Sequence, residues 1–210
     1  IPNGLARQPE IKPPSDALKN KLGISSKDEV VGYIGSFSPY EGLDLLLEAC
    51  ARLVDQGQSV KLLFVGDGQS IAQRYAEMNR NTTEPWFIHV SRIPNSEIAD
   101  YYSIIDSIVI PREKLPVCEI VPPFKIIEAL AYQKRVVVSD VLPLLEYSQK
   151  YKSLMNFEAG NVQSLVTALQ KSLKLQPPQA STKLLISAQT APMVRAFKEV
   201  VREGTKNMPA

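Results

Sequence analysis

At 210 residues, with 44% hydrophobic residues, the chain is long enough for one large domain or two small ones and apolar enough to build a core. Its 24 basic and 22 acidic residues nearly balance, which argues against a nucleic-acid binder. We expect neither a membrane span nor a signal peptide. Cys50 and Cys118 lack metal-ligand spacing and favour a reduced, intracellular protein. The loop-like start, without Met, predicts a piece of a longer protein.

The first half of the chain predicts alternating strands and helices. Residues 1–14 are rich in proline and polar groups and predict a linker, and Ser15 is the predicted N-cap of a short helix that Gly23 ends. Apolar runs bounded by glycine turns then alternate with amphipathic stretches. The predicted order is a strand ending in a glycine turn (29–37), helix 42–57, a second strand with its glycine turn (60–68), a helix to about residue 79, strand 86–90 and helix 95–106, capped by Asn95 or Ser96.

The second half continues this alternation. Its predicted elements are strand 107–111, a helix from Phe124 to Tyr132, strand 136–140, a short helix from Pro143, strand 152–157, helix 161–174 and a closing helical segment 182–204. Strands alternating with helices predict βαβ units and an α/β fold, a Rossmann-like doubly wound parallel sheet of about six strands. Ligands of such sheets bind outside the carboxyl ends of the strands. The loops expected to be functional are therefore 35–41, 66–69, 91–94, 111–123 and 139–143.

The stretch from Cys118 to Asp140 predicts a ligand site. Pro122 and Pro123 precede its helix, whose first turn needs no N–H groups from them. Lys125 and Glu128 are almost the only polar residues of that helix, and their spacing of three places them on one face. A cation and a carboxylate at the start of a buried helix, beside the carboxyl end of a strand, indicate ligand binding.

These loops, in this order, resemble the C-terminal half of glycosyltransferase family 4, whose members are retaining enzymes of the GT-B type. The matching segments, over roughly residues 1–175, are IPNG at the interdomain linker, GYIGSFSPYEGLDLLLEA, FVGDG, RIPNSEIADYYSIIDSIVIP and, at the donor-site signature, VPPFKIIEALAYQKRVVVSD. The resemblance implies two Rossmann-like domains with a nucleotide-sugar in the cleft between them. It divides this chain into a linker (1–14), a donor-binding domain (15–175) and a helical extension (176–210), without the N-terminal acceptor-binding domain.

The resemblance assigns roles to two acids. Glu128 matches the second acid of the family's paired-glutamate motif and is expected to accept hydrogen bonds from the ribose hydroxyls of the donor. Its alternative is a helix-surface glutamate paired with Lys125. Glu119 is the candidate for the first acid, which touches the transferred sugar, although the separation of nine residues (128 − 119) is one longer than usual. Its alternative is a loop glutamate in solvent.

The expected phosphate site departs from the family pattern. Ser36 and Glu41 stand where relatives commonly have Arg and Lys. A leaving diphosphate needs positive charge, so Arg112 and Lys125 are the predicted substitutes and join Glu119 in the predicted catalytic set. The alternative for Arg112 is an exposed cation that pairs with its neighbour Glu113.

Further donor contacts are expected at both ends of the site. Besides Glu128, the predicted substrate-binding residues are Gly35, Ser36, Arg92, Ile93, Pro123 and Phe124. Gly35 and Ser36 offer backbone or hydroxyl hydrogen bonds, and the backbone of Arg92 and Ile93 meets the nucleotide base in relatives. The alternative for Arg92 and Ile93 is an ordinary strand-to-helix turn.

Several other residues are expected to be structural. The glycines of FVGDG form a tight turn and not a dinucleotide fingerprint. The remaining residues in this class are His89 as a satisfied core or edge residue, Cys118 without a catalytic partner, Tyr101 and Tyr102 in the core, and Asp140 as the cap of the turn that follows it.

The leading prediction is the donor-binding domain of a retaining, hexosyltransferase-type enzyme of polysaccharide or glycoconjugate synthesis. It uses a nucleotide-diphosphate sugar and no metal or other cofactor. We expect it to transfer little without its acceptor-binding half, and to act in the cytoplasm or at the cytoplasmic membrane surface. The alternative is a non-catalytic nucleotide-binding or scaffold module, which the loss of cations at Ser36 and Glu41 favours. A dehydrogenase lacks support without the dinucleotide fingerprint.

Overall fold

A computed structural model describes residues 5–68, 77, 85–151 and 154–178. Its strands are β1 (Glu29–Ile34), β2 (Val60–Val65), β3 (Phe87–Val90), β4 (Ser107–Ile110), β5 (Arg135–Ser139) and β6 (Leu154–Phe157). They form one parallel sheet in the order β3-β2-β1-β4-β5-β6. The predicted α/β fold with a six-stranded, doubly wound parallel sheet is confirmed.

Helices cover both faces of the sheet. They are α1 (Asp16–Lys21), α2 (Leu43–Asp55), α3 (Ile98–Ile104), α4 (Pro116–Ile120), α5 (Phe124–Ala131), α6 (Leu142–Lys150) and α7 (Val162–Ser172), with 3₁₀ turns at Pro39–Glu41 and Asn95–Glu97. Helices α2 and α7 pack on one face, and α1, α3, α5 and α6 contribute to the core on the other. Because strand side chains alternate, Val30 joins one core while Val31 and Tyr33 join the other.

The sheet changes its winding direction between β1 and β4. Gly32 of β1 is in register with Leu63 of β2 on one side and with Ile108 of β4 on the other. The chain leaves β1 towards the face that holds α2, whereas it leaves β4 towards the face that holds α5. The two loops therefore diverge and leave a crevice at the carboxyl ends of these strands.

A buried arginine ties together the opposite, amino-terminal edge. Arg135 Nη1 donates to Leu173 O (2.6 Å), Nε donates to Asp106 O (3.2 Å), and Nη2 pairs with Glu29 Oε2 (3.1 Å). Asp106 Oδ2 in turn accepts from the backbone N–H of Val30 (2.8 Å). These residues, which we call the amino-edge clamp, join β1, β5 and the end of α7.

Two predicted segments differ from the structure. The predicted helix 95–106 begins as a 3₁₀ turn with Pro94 at the N-cap position, so neither Asn95 nor Ser96 is the cap. The predicted loop 111–123 contains α4, which Pro116 starts and whose buried Cys118 anchors it. Ser15 is a cap as predicted, because its Oγ accepts from the N–H of Leu18 (3.2 Å).

Some predicted segments lie outside the described residues. These are most of the helix to about residue 79, the first two residues of the strand 152–157 and the closing segment 182–204. None of the helices within the described ranges is long and apolar enough to cross a membrane.

Gly32→Ala is expected to lower the free energy of unfolding by about 1–3 kcal/mol. A Cβ at this position would approach three side-chain carbons of Ile105 at 2.5–2.9 Å. Urea denaturation measures the loss, and Ile105→Ala removes the clashing atoms at the cost of a cavity. The double variant should lose less stability than the two single losses added together. Strict additivity would contradict the clash.

Candidate functional site

A pocket of about 370 Å³ opens where β1, β2 and β3 end. Four predicted substrate-binding positions line it, namely Gly35, Ser36, Arg92 and Ile93. They come from the loops after β1 and β3, and Asp67 joins them from the loop after β2. The structure thus brings these four positions together, as the rule for parallel sheets predicts.

Close backbone contacts fix the floor of this pocket. Gly66 has φ +147°, and a Cβ there would overlap the carbonyl oxygen of Gly35, so only glycine fits. Asp67 Oδ1 accepts from the N–H of Arg92 (3.0 Å), and His89 Nε2 donates to Gly66 O (3.0 Å). The prediction that His89 is a satisfied structural residue is confirmed.

Beside the pocket, one buried carboxylate holds both predicted cations. Glu41 ends the 3₁₀ turn after β1 and is only 1% exposed. Its Oε1 accepts from Lys125 Nζ and from Arg112 Nη2, each at 3.1 Å. We call Glu41, Arg112 and Lys125 the Glu41 ion cluster.

Lys125 connects this cluster to the pocket. Its side chain lies across Gly35, where a Cβ would overlap Lys125 Cε, and its Nζ sits 5.1 Å from the centre of the Tyr33 ring. The Tyr33 hydroxyl donates to Ser36 O at 2.8 Å. Lys125 therefore does not extend into bulk water, and its ammonium group is held at the carboxyl end of β1.

Arg112, which the sequence predicts to bind phosphate, is a buried side chain. Its Nη1 donates to Val121 O (2.8 Å), and its guanidinium carbon lies 5.8 Å from the centre of the Tyr40 ring. The alternative of an exposed cation paired with Glu113 is wrong, because Arg112 is 7% exposed and pairs with Glu41. A direct contact between Arg112 and a phosphate stays a prediction.

Glu128 lies half-buried on α5, next to stacked aromatic rings. Burial raises the pKa of its carboxyl group, and the positive charge of Lys125 opposes this rise. The rings of Tyr102 and Tyr132 stack at 4.0 Å, and the Glu128 charge adds to the burial that raises the pKa of both phenols. The alternative, in which Glu128 is a surface residue paired with Lys125, is wrong because the Lys125 ammonium group pairs with Glu41.

Glu119 lies on α4 and not in a solvent-exposed loop. Its Oε2 accepts from the backbone N–H of Leu142 (2.9 Å), which begins α6. This contact fixes the carboxylate near the carboxyl end of β5, and its role towards a sugar stays a prediction. At the start of α5, Pro123 is buried at the N-cap position and Phe124 is exposed.

Asp140 does not cap the turn that follows it. Its Oδ1 accepts from the N–H of Ala159 (2.9 Å) and its Oδ2 from Lys114 Nζ (3.0 Å), so it joins the loops after β4, β5 and β6. The expected core positions of Tyr101 and Tyr102 are confirmed. Across the described part of the chain, no group of three His, Cys, Asp or Glu residues could hold a metal ion.

Two of the residues at this site were not recognised in the sequence as ligand or cation contacts. In the sequence, Asp67 lies between the glycines of a turn, and Glu41 stands where relatives commonly have a cation. For Glu41 the available signal is its position: an acidic residue in the loop after β1 lies at the carboxyl edge of the sheet, where ligands and their contacts gather.

A larger pocket, of about 670 Å³, lies on the other side of the loop after β1. The loops after β4 and β6 complete its walls, through Lys114 and Gly160 among others. None of the predicted site residues lines it. The predicted residues thus belong to the smaller pocket and to the elements beside it.

Comparison with known proteins identifies the family. The family model for glycosyl transferases group 1 matches residues 14–184. The chain belongs to this family. It is 26% identical over 156 residues to a putative teichuronic acid biosynthesis glycosyltransferase, TuaC, of Bacillus subtilis (strain 168), an alignment that covers 73% of this chain and 35% of that protein. It is also 36% identical over 67 residues to a lipopolysaccharide 1,2-N-acetylglucosaminetransferase of Salmonella typhimurium, covering 32% of this chain and 18% of that protein.

Solved structures of other glycosyltransferases share the fold. A sucrose-phosphate synthase from Thermosynechococcus elongatus superposes with a TM-score of 0.68 at 21% identity, covering 97% of this chain and 52% of that one. WaaG, a glycosyltransferase involved in lipopolysaccharide biosynthesis, gives 0.59 at 17% identity, covering 92% and 46%. This group 1 glycosyl transferase chain therefore has the Rossmann-like fold of GT-B glycosyltransferases and spans about half the length of these structures.

Glu128→Gln is expected to raise the melting temperature of this glycosyl transferase chain at pH 7 by roughly 2–4 °C. Because burial raises the pKa of Glu128 in the folded state, the unfolded chain loses the proton first as pH rises. Ionisation then disfavours the fold above the ordinary glutamate pKa, and the gain from the neutral amide disappears below it. Melting curves from pH 4 to pH 8 test this, with the exposed Glu48→Gln as control. A gain that does not change with pH would contradict the role of burial.

Proposed function

We propose that this chain is the donor-binding domain, over residues 15–175, of a retaining family 4 glycosyltransferase that uses a nucleotide-diphosphate sugar. One observation supports this above all others. A pocket and a cationic side chain meet at Gly35, because Lys125 crosses this glycine at the carboxyl end of β1. A nucleoside fits a pocket with polar backbone walls, and a phosphate fits an ammonium group.

The nucleoside occupies the pocket in this proposal. The backbone of Arg92 and Ile93 contacts the base, and Glu128 accepts hydrogen bonds from both ribose hydroxyls. A half-buried carboxylate whose pKa is raised by burial gains most from such donors, because they replace the hydration that it has lost. Specificity for one base would then come from the loop after β3.

The diphosphate lies between β1 and the start of α5. Lys125 compensates its negative charge, and the backbone of Gly35 and Ser36 supplies hydrogen bonds. Arg112 supports the leaving group from behind Glu41. Glu119 orients the transferred sugar, and Pro123 and Phe124 form the wall on the side of α5. A leaving diphosphate that gains negative charge in the transition state is stabilised by fixed cations and oriented donors.

The acceptor is bound by a second domain in this proposal. The alignment covers 35% of TuaC, and the chain covers about half of a related structure, so relatives are long enough to contain a second domain. The names of the relatives favour a hexosyl transfer in the synthesis of a cell-surface polysaccharide or glycoconjugate. The whole protein then acts in the cytoplasm or at the cytoplasmic face of a membrane. The chain alone should bind donor and transfer little, without metal or other cofactor.

A non-catalytic nucleotide-binding module is the second candidate. Glu41 neutralises part of the charge that a diphosphate needs, and Ser36 adds none. This alternative predicts nucleotide binding that survives in the full-length protein without sugar transfer.

Calorimetry with uridine, guanosine, adenosine and thymidine diphosphates tests the donor site. We expect one of them to bind, and Lys125→Met and Glu128→Gln each to weaken that binding about tenfold or more, because each removes a charged hydrogen bond. Matched controls are Lys27→Met and Glu48→Gln, which change exposed residues away from this pocket. Absence of binding to every nucleotide, or an affinity in both site variants equal to that of wild type, would reject the proposal.

A further inference from the structure

The Glu41 ion cluster leaves two buried polar atoms without a hydrogen-bond partner. They are Oε2 of Glu41 and Nε of Arg112. Buried polar atoms in native proteins nearly always have a partner, and an unsatisfied one is costly. The other oxygen of Glu41, Oε1, accepts hydrogen bonds from both Arg112 and Lys125, at 3.1 Å each. A small movement of the Glu41 or Arg112 side chain could therefore add a hydrogen bond to the cluster.

The two unpartnered atoms complement each other. Nε and Nη2 lie on the same side of a guanidinium group, which is the side that grips both oxygens of a carboxylate. Arg112 Nη2 already bonds Glu41 Oε1, so a bond from Nε to Oε2 would complete a bidentate pair. A second bond to Arg112 is thus available to Glu41 when it loses its bond to Lys125.

Lys125 is the member of the cluster that a ligand can reach. Its side chain is 18% exposed, against 9% for Arg112 and 2% for Glu41, and it crosses Gly35 at the wall of the pocket. An anion arriving at Gly35 meets an ammonium group that is already bound to an internal carboxylate. The ligand must compete with Glu41 for that ammonium group.

We propose that Glu41 is a positioning residue that binds the Lys125 ammonium group in the absence of ligand. A ligand phosphate then takes the place of Glu41 at Lys125, and Glu41 forms a bidentate pair with Arg112. The inference rests on the proposed function, because it requires a phosphate beside Gly35. Glu41 then determines how strongly the site distinguishes ligands of different phosphate charge. Its negative charge weakens the binding of a diphosphate more than that of a monophosphate, which has less charge to repel.

Glu41→Gln tests this competition, because the amide keeps the shape and one oxygen acceptor but removes the charge. We expect the affinity for the nucleoside diphosphate that binds wild type to rise about tenfold, and the affinity for its monophosphate to rise roughly threefold. Glu41→Asp, which retains the charge, should retain the wild-type ratio of the two affinities. In a Lys125→Met background, the gain from Glu41→Gln should fall to about twofold or less.

The outcomes separate this inference from the proposed function. If wild type binds a nucleoside diphosphate but Glu41→Gln changes the diphosphate-to-monophosphate ratio by less than about twofold, the inference is overturned and the donor site stands. Weaker diphosphate binding by a folded Glu41→Gln overturns it as well. If no nucleotide binds wild type or any variant, the proposed function fails and the inference fails with it.

Arg112→Lys provides a test that does not require Glu41 to be changed. Lysine keeps the positive charge but cannot hold a carboxylate in a bidentate pair, so Glu41 would have no second bond to gain. We expect the diphosphate affinity to fall about fivefold while the melting temperature shows that the variant is folded. A wild-type affinity in folded Arg112→Lys would overturn the proposed exchange.

Discussion

Parallel pairing of β1 with β4 is the constraint on which the candidate site depends. These neighbours send their following helices to opposite faces of the sheet, so the loops that leave them separate. The crevice between these loops lets Glu41 of one loop meet Arg112 of the other loop and Lys125 of helix α5, each at 3.1 Å, although 71 and 84 residues separate them in the chain. A different strand order would disperse the same residues over the surface.

A carboxylate between two cations changes the electrostatics of that crevice. Burying three charges costs free energy, and such a group is most stable when every buried polar atom in it has a hydrogen-bond partner. The unpartnered oxygen of Glu41 and nitrogen of Arg112 show that this condition is only partly met. The cluster is therefore a structural joint between the loop after β1, the loop after β4 and helix α5, and it still has a hydrogen bond to gain.

The sheet was largely predictable from the sequence, and the ion pairs were not. Buried parallel strands are apolar runs with turns between them, so all six were recognised, and the carboxyl-end rule located the loops that supply Gly35 and Arg92. Helix α4 has five residues, which is too few for periodicity to reveal. The ion pair of Lys125 with Glu41 depends on the direction of side chains across the crevice, which the sequence does not show. Sequence spacing indicates only Glu128, the neighbour of Lys125 on the same helix.

The amino-edge clamp of Arg135 lies at the end of the sheet away from the candidate site. Its hydrogen bonds to Leu173 and Asp106 and its ion pair with Glu29 hold the ends of β1, β5 and α7 without any atom of the pocket. Scaffold and recognition surface are thereby stabilised by separate sets of contacts. Loops exchanged between relatives at the carboxyl edge would meet an intact framework, which makes this domain suitable for grafting new ligand preferences.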